Sequence, residues 1–269
     1  MLDAVARDGL VLLGCGKMGT ALLTGWLAAG VPVSSVWVLE PNPSDWLKST
    51  GVHVNEPLPK SPAVALVAVK PQMMGAALPA LQAMGNGKTL FVSIAAGTSI
   101  ATFAAVLGAR TPIVRTMPNT PAMVGRGITG ICGNTHAGAS GLALAKALMQ
   151  AVGEVVELSG EDQIDAVTAL SGSGPAYVFH LIEAMAAAGV AEGLPAVVAM
   201  KLARATVCGA GELAYRAPET AAQLRVNVTS PGGTTAAALA HLMDEATGLA
   251  PLMLRAVHAA AERGRELAK

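Results

Sequence analysis

Aromatic side chains make up only 3% of this chain and charged ones only 13%. The first scarcity removes the stacking platforms on which single-stranded nucleic acids are held. The second leaves 18 basic and 18 acidic residues that cancel. No basic run is ready to neutralise phosphates, so a nucleic-acid partner is not expected. Cysteine is scarce too. Cys15, Cys132 and Cys208 are far apart, odd in number and without a CxxC pair, which excludes a disulfide framework and fits a reducing compartment. His53, His136, His180, His241 and His258 show no ligand spacing, so no metal is expected. Long hydrophobic runs are missing as well. Leu10 to Leu13 is too short for a signal-peptide core, and the stretch from Ala176 to Ala191 is interrupted by His180 and Glu183. The expectation is a soluble cytoplasmic protein with no membrane span.

What is present is a 52% hydrophobic content spread over 269 residues, enough for one large domain or two ordinary ones. With so few aromatics the core must be built from Ala, Val, Leu and Met, which suit closely packed helices. Strands are predicted at Leu10–Leu13, Val36–Leu39, Ala63–Val69, Leu90–Ile94, Ile113–Arg115, Ile128–Cys132 and Val155–Leu158. Helical segments fall between them, such as Lys17–Ala29, ended by Gly30, and Trp46–Ser49, stopped by Gly51. Ala63–Val69 is continuously apolar and should be buried on both faces. Strand alternating with helix implies a parallel, doubly wound sheet. Near Gly160 the character changes. From Glu161 onward the pattern is helical, broken at Ser171–Pro175 and Ser230–Gly233, with Pro195 and Pro218 at helix starts. The expected division is an α/β domain over residues 1–160 and an all-α domain over 161–269. The second part is apolar, yet its glycine breaks prevent a simple closed bundle, so a homodimer at least is expected through it.

Gly14-Cys15-Gly16-Lys17-Met18-Gly19 is a GxGxxG between a predicted strand and a predicted helix. In that context it is a dinucleotide-binding loop of the Rossmann type. Gly14 permits the tight turn, Gly16 leaves room for a pyrophosphate, and Gly19 lets the helix approach the sheet. The helix N-terminus meets the phosphates with free N–H groups. Glu40 ends the next strand, 21 residues after Gly19. An acid there accepts from ribose hydroxyls and favours NAD over NADP, although the following loop, with Asn42 and Ser44, could bind a phosphate. The alternative for Glu40 is a solvated strand end. Two more loops follow predicted strands at the ligand-binding edge of the sheet. One is Ala68-Val69-Lys70-Pro71-Gln72, in which Lys70 approaches the cofactor or is an ordinary surface lysine. The other is Ser93-Ile94-Ala95-Ala96-Gly97, small enough for the nicotinamide half to lie on backbone. The stiff loop Met117-Pro118-Asn119-Thr120-Pro121 follows the fifth strand at the cleft edge; a purely structural turn is one reading, and contact of Asn119 with the nicotinamide or substrate is the one its position favours.

Ser171-Gly172-Ser173-Gly174-Pro175 interrupts a helix at a cost, since proline alone is disfavoured by ~3 kcal/mol. A kink or close backbone approach with a purpose is weighed against plain helix packing. Asn227-Val228-Thr229-Ser230-Pro231-Gly232-Gly233-Thr234-Thr235 leads into the helical run Ala236–Met243. Thr234 as a simple N-cap is one reading. A carboxylate held by free N–H groups and the hydroxyls of Ser230, Thr234 and Thr235 is the favoured one.

Taken together these motifs resemble the pyrroline-5-carboxylate reductase family over nearly the whole chain. The Leu170–Tyr177 and Asn227–Thr235 segments are far more specific than any dinucleotide loop. The resemblance implies an oxidoreductase acting on a C=N bond. It would reduce 1-pyrroline-5-carboxylate to L-proline with NADPH or NADH, the last step of proline biosynthesis. It implies an N-terminal Rossmann domain and an all-helical dimerisation domain. It places the substrate carboxylate on Ser230, Gly233, Thr234 and Thr235, the ring nitrogen near the Thr235 hydroxyl, and Asn227 and Glu161 along the pocket. Glu40 departs from the small polar residue or cation-containing loop often found at that strand end, which bears on NADP preference. Two alternatives remain at this point. A β-hydroxyacid dehydrogenase shares the Gly-x-Gly-x-Met-Gly opening but carries a catalytic lysine four residues after its mid-chain glycine, where this chain has Val178. A dinucleotide-binding sensor without turnover is the second, against which the polar Ser230–Thr235 loop argues.

Overall fold

The computed structural model describes residues 2–267. One eight-stranded sheet runs in the order β3-β2-β1-β4-β5-β6-β7-β8. Its strands are β1 (Leu10–Leu13), β2 (Val36–Leu39), β3 (His53–Val54), β4 (Val64–Val67), β5 (Leu90–Ser93), β6 (Ile113–Met117), β7 (Gly127–Gly133) and β8 (Gly153–Glu157). All seven predicted strands are found. The one missed, β3, has only two residues and no apolar run to announce it. The helices of this part are α1 (Asp3–Asp8), α2 (Lys17–Ala28), α3 (Asp45–Ser49), α4 (Met74–Ala77), α5 (Ile100–Leu107), α6 (Gly138–Gln150) and α7 (Ile164–Val167).

The sheet is not wholly parallel, which corrects the expectation. β6 and β7 pair antiparallel, with Arg115 opposite Cys132, while β7 and β8 are parallel to each other. The cause lies in the Pro118–Arg126 connection, which is shorter than the roughly dozen residues that a parallel crossover requires.

Alternate residues of the strands enter two cores, one on each face. Leu10, Leu12, Val36, Val38, Val64 and Leu66 pack with Leu22, Leu23 and Trp26 of α2 and Leu148 of α6. The intervening Val11, Leu13, Ala65, Val67 and Phe91 pack with Leu78, Leu81, Phe103 and Leu107. Burial on both faces is why these strands read as continuous apolar runs. Trp26 is fully buried, and its indole N–H donates to the Leu148 carbonyl at 2.9 Å, tying α2 to α6.

The chain forms two compact units. One contains the sheet, runs to Gly172 and takes in the chain again from Ala260; the other is Ser173–Ala259. The sheet unit thus continues past Gly160, where the composition changes, because Ile164 is buried with Met117 and Cys132. The second unit contains α8 (Gly174–Ala191), α9 (Ala196–Arg216), α10 (Ala221–Asn227), α11 (Thr234–Leu242) and the first part of α12 (Leu249–Leu267). No strand follows β8 among the described residues. Helices α8 and α9 approach closely at Gly189, where a Cβ would stand 3.2 Å from that of Ala199. The buried apolar side chains of this unit are alanines, Ala186, Ala199 and Ala203, whereas Val197 is 82% exposed. Residues 161–191 are long and apolar enough, by length and composition only, to cross a membrane.

Candidate active site

The glycine loop sits where the strand order reverses. β1 is flanked by β2 on one side and β4 on the other, and open α/β sheets bind ligands at such a point, beyond the carboxyl ends of the strands. Gly14 turns the chain at φ +90°. A Cβ there would stand 2.9 Å from both the Ala68 carbonyl oxygen and the Val69 side chain, so the loops after β1 and β4 lie in contact. On Gly19 a Cβ would meet the Gly14 carbonyl oxygen at 2.7 Å, whereas on Gly16 it would meet nothing within 4 Å. Each glycine therefore has the surroundings expected of it: a turn, an open floor and a close helix approach. Gly16 is the N-cap of α2 and no side chain caps the helix, which leaves its first N–H groups available to a pyrophosphate. Lys17 is exposed and Met18 half-buried in the first turn.

Glu40 is half-buried and is not a solvated strand end. Its Oε2 accepts the Cys15 N–H at 2.8 Å and its Oε1 the Asn42 N–H at 3.0 Å. Its backbone is clamped by Asn55, whose Oδ1 accepts the Glu40 N–H at 3.0 Å and whose Nδ2 donates to the Glu40 carbonyl at 2.9 Å. Asn55 adopts φ +55°, a conformation Asn tolerates better than most side chains. The sequence reading missed it, since nothing local marks an Asn 15 residues away as the clamp. The Cys15 thiol is raised above the ordinary range, first by burial and also by the Glu40 charge.

Along the same edge Val69 is half-buried, and Lys70 and Pro71 are exposed. Ala95 is buried, with its N–H on the Ser93 Oγ at 3.1 Å, and Ala96 is exposed. Asn119 is 8% exposed. Both ends of its amide are engaged by backbone groups, Ile128 N–H at Oδ1 (2.9 Å) and the Ser171 carbonyl at Nδ2 (3.2 Å).

Glu161 lies in the sheet unit. Its Oε1 accepts from Arg115 Nη1 and from the Ile100 N–H, each at 2.7 Å. Arg115 is 6% exposed on β6 and was missed from sequence. The available signal was an arginine inside the apolar run Ile113–Met117, since a buried charge requires a partner. The Cys132 thiol is pushed up to about 11 by burial and by the charge of Glu161, so it holds no reactive thiolate near neutrality.

In the helical unit, Gly233 is the N-cap of α11 and no side chain caps the helix. Thr234 is thus the first helical residue and not a cap. Gly232 turns the loop at φ +68°. The Gly233 N–H, expected to face the substrate carboxylate, instead donates to the Ser230 carbonyl at 3.1 Å. The turn closes on itself at that point, and the N–H groups of Thr234 and Thr235 open the helix without a side-chain cap. Ser230 and Thr234 are exposed, Thr235 half-buried. Asn227 Oδ1 accepts from Gln223 Nε2 at 2.8 Å, which fixes its side chain on α10.

This sheet, with its glycine cradle at the reversal point and an acid at the end of β2, defines a nicotinamide-dinucleotide oxidoreductase. Comparison with known proteins narrows the class. A family model described as pyrroline-5-carboxylate reductase dimerisation matches residues 161–267. One described as NADP oxidoreductase coenzyme F420-dependent matches residues 10–97. The pyrroline-5-carboxylate reductase of a Synechocystis strain is 42% identical, over 97% of this chain and 98% of its own. The structure of a pyrroline-5-carboxylate reductase from Coxiella burnetii superposes with a TM-score of 0.91 at 35% identity, covering 97% of this chain and 99% of that one. The Plasmodium falciparum pyrroline carboxylate reductase with NADP bound gives 0.83 at 28% identity, covering 98% and 99%. The chain belongs to the pyrroline-5-carboxylate reductase family.

Proposed function

We propose that this chain reduces 1-pyrroline-5-carboxylate to L-proline at the expense of NADH or NADPH, the closing step of proline biosynthesis. The observation that carries the reading is the presence, in one chain, of the glycine cradle between β1 and β4 and the uncapped α11 N-terminus behind Ser230–Gly233. Gly14, Gly16 and Gly19 receive the pyrophosphate, with Lys17 and Met18 in the first turn of α2. Glu40 faces the adenosine ribose, and Asn42 flanks it. Val69, Lys70, Pro71, Ala95 and Ala96 form the edge along which the nicotinamide half extends, and Asn119 sits at its far end.

A nicotinamide dinucleotide held there would supply the hydride that reduces the C=N carbon of the ring. The residues of the chain need only bind, orient and polarise. The Ser230 hydroxyl and the N–H groups of Thr234 and Thr235 hold the substrate carboxylate, helped by the positive end of α11. Asn227 lines the pocket. The Thr235 hydroxyl meets the ring nitrogen, where it stabilises the developing amine or relays a proton through water. The Glu161 carboxylate is engaged by Arg115 and the Ile100 N–H within the sheet unit. No lysine stands at position 178 to run the hydroxyacid chemistry of the neighbouring family.

The exposed apolar surface of the helical unit, Val197 at 82% and Leu254 at 74% among it, is read as the interface of a homodimer and not as a lipid-facing surface. The working compartment is the cytoplasm, in keeping with three free cysteines. Oxidation of NADH and NADPH is to be followed with pyrroline-5-carboxylate and, in parallel, with a short 3-hydroxy acid and NAD. Turnover of the imine alone supports the reading. Turnover of the hydroxy acid alone, or binding of dinucleotide without turnover of either, overturns it.

A further inference from the structure

Pro175 stands in the first turn of α8 and has no N–H. In an α-helix that N–H would serve the carbonyl four residues earlier, which here is Ser171. The next N–H along, that of Ala176, is spent on the Ser173 carbonyl at 3.0 Å. The proline ring also crowds the carbonyl four residues before it, and Thr168–Gly172 is widened into a π turn. Within the turn the Thr168 and Ser171 hydroxyls donate back to the Ile164 and Val167 carbonyls at 2.8 and 3.0 Å. The Ser171 carbonyl is served from another element: Asn119 Nδ2 reaches it at 3.2 Å from the end of β6. The other end of the same amide, Oδ1, holds the Ile128 N–H of β7 at 2.9 Å. The side chain is buried, so this bond is made away from competing water. Below the turn Met117 approaches Gly172, whose Cβ would stand 3.8 Å from the Met117 sulfur.

We infer that Asn119 is a positioning residue: its amide replaces the N–H that Pro175 lacks and pins the Ser171–Gly172 backbone to the carboxyl ends of β6 and β7. It acts through Ser171 and does not recognise the cofactor directly. Packing alone would be met by an ordinary helical turn with a residue other than proline at 175. Proline plus a repairing amide from a distant strand fixes one widened geometry at the ligand-binding edge of the sheet. The functional half of this inference rests on the proposed reaction; the pairing of Asn119 with Pro175 does not.

The test is a double-mutant cycle on the full chain with Asn119→Asp, Pro175→Ala and the two combined. Asn119→Asp keeps the acceptor for Ile128 and removes the donor. Its kcat with pyrroline-5-carboxylate should fall about 10- to 100-fold, the scale of a slightly misplaced site, while the Kd for NADH stays within about twofold. Pro175→Ala restores a backbone donor for Ser171 and should recover most of the lost kcat in the double variant. Loss of NADH affinity in step with kcat would show a direct cofactor contact and overturn the inference, as would a double variant no better than Asn119→Asp. Should Asn119→Asp be too unstable to assay, or the wild type not turn over the imine, the same cycle is read in Tm. Recovery on adding Pro175→Ala supports the pairing, and additive losses overturn it.

Discussion

The two units of this chain stabilise themselves in opposite ways. The sheet unit buries large side chains on both faces, Trp26, Phe91, Phe103 and a set of leucines with almost no exposure. The helical unit buries three alanines and leaves Val197, Leu213, Leu252 and Leu254 more than half exposed. Apolar content alone does not distinguish them, since both are apolar. The difference is whether the apolar faces find partners within the chain. The first unit finds them on both faces of its sheet; the second leaves more of its apolar surface to association.

The largest effect that would sharpen this contrast is expected in the sheet unit. Trp26→Ala should cost about 3–5 kcal/mol, because it opens a cavity and strands the Leu148 carbonyl. Chemical denaturation should show that cost at every protein concentration. A cost that disappears on dilution would mean the sheet unit also depends on assembly. Next is Thr235→Ala, which should lower kcat/KM about 10- to 1000-fold with NADH binding nearly intact, as seen by steady-state kinetics beside fluorescence titration. Wild-type turnover would take the hydroxyl out of the mechanism. Val197→Asp should weaken self-association about 10- to 100-fold and lower Tm at a given protein concentration, checked by light scattering and calorimetry. A variant that stays dimeric would place the interface elsewhere. The smallest expected change is in cofactor choice. NADH should serve at least as well as NADPH, and Glu40→Ser should shift the ratio of kcat/KM values toward NADPH by about tenfold, through relief of charge repulsion at the 2′-phosphate. An unchanged ratio would show that Glu40 only organises the loop through Cys15 and Asn42.

Legibility in the sequence followed the same division. In the sheet unit the strands were readable because two-sided burial writes unbroken runs such as Val64–Val67, and the glycine loop because three backbone constraints fall at fixed spacing. The reversal of β7 was not readable, since a connection too short for a parallel crossover sets the direction only once β6 and β7 are known to be neighbours. The Arg115–Glu161 pair joins residues 46 apart, a separation no local pattern encodes. Asn55 was invisible for the same reason. In the helical unit the Ser230–Thr235 turn stood out, but its internal bond from Gly233 to Ser230 did not, because sequence does not say which N–H groups a turn keeps for itself. The change in character near Gly160 coincides with the start of the matched dimerisation region at residue 161, but composition does not show what packs across it. Ile164 follows the change in character near Gly160 yet packs on Met117 and Cys132.

The chain leaves the sheet unit after Gly172 and returns to it at Ala260, with Ala261 buried there. In topological terms the helical unit is an insertion, and the last turns of α12 are the clasp. Gly264 lies against Asp165, 3.5 Å separating a Cβ there from the carboxylate oxygen. A ribosome therefore delivers the strands and the cofactor loop before the clasp. A nascent chain holding everything up to Arg255 would carry a formed sheet and an exposed apolar insertion without its closing helix turn. Completion of the sheet unit is in this sense gated by α12, although every strand among the described residues ends by Glu157.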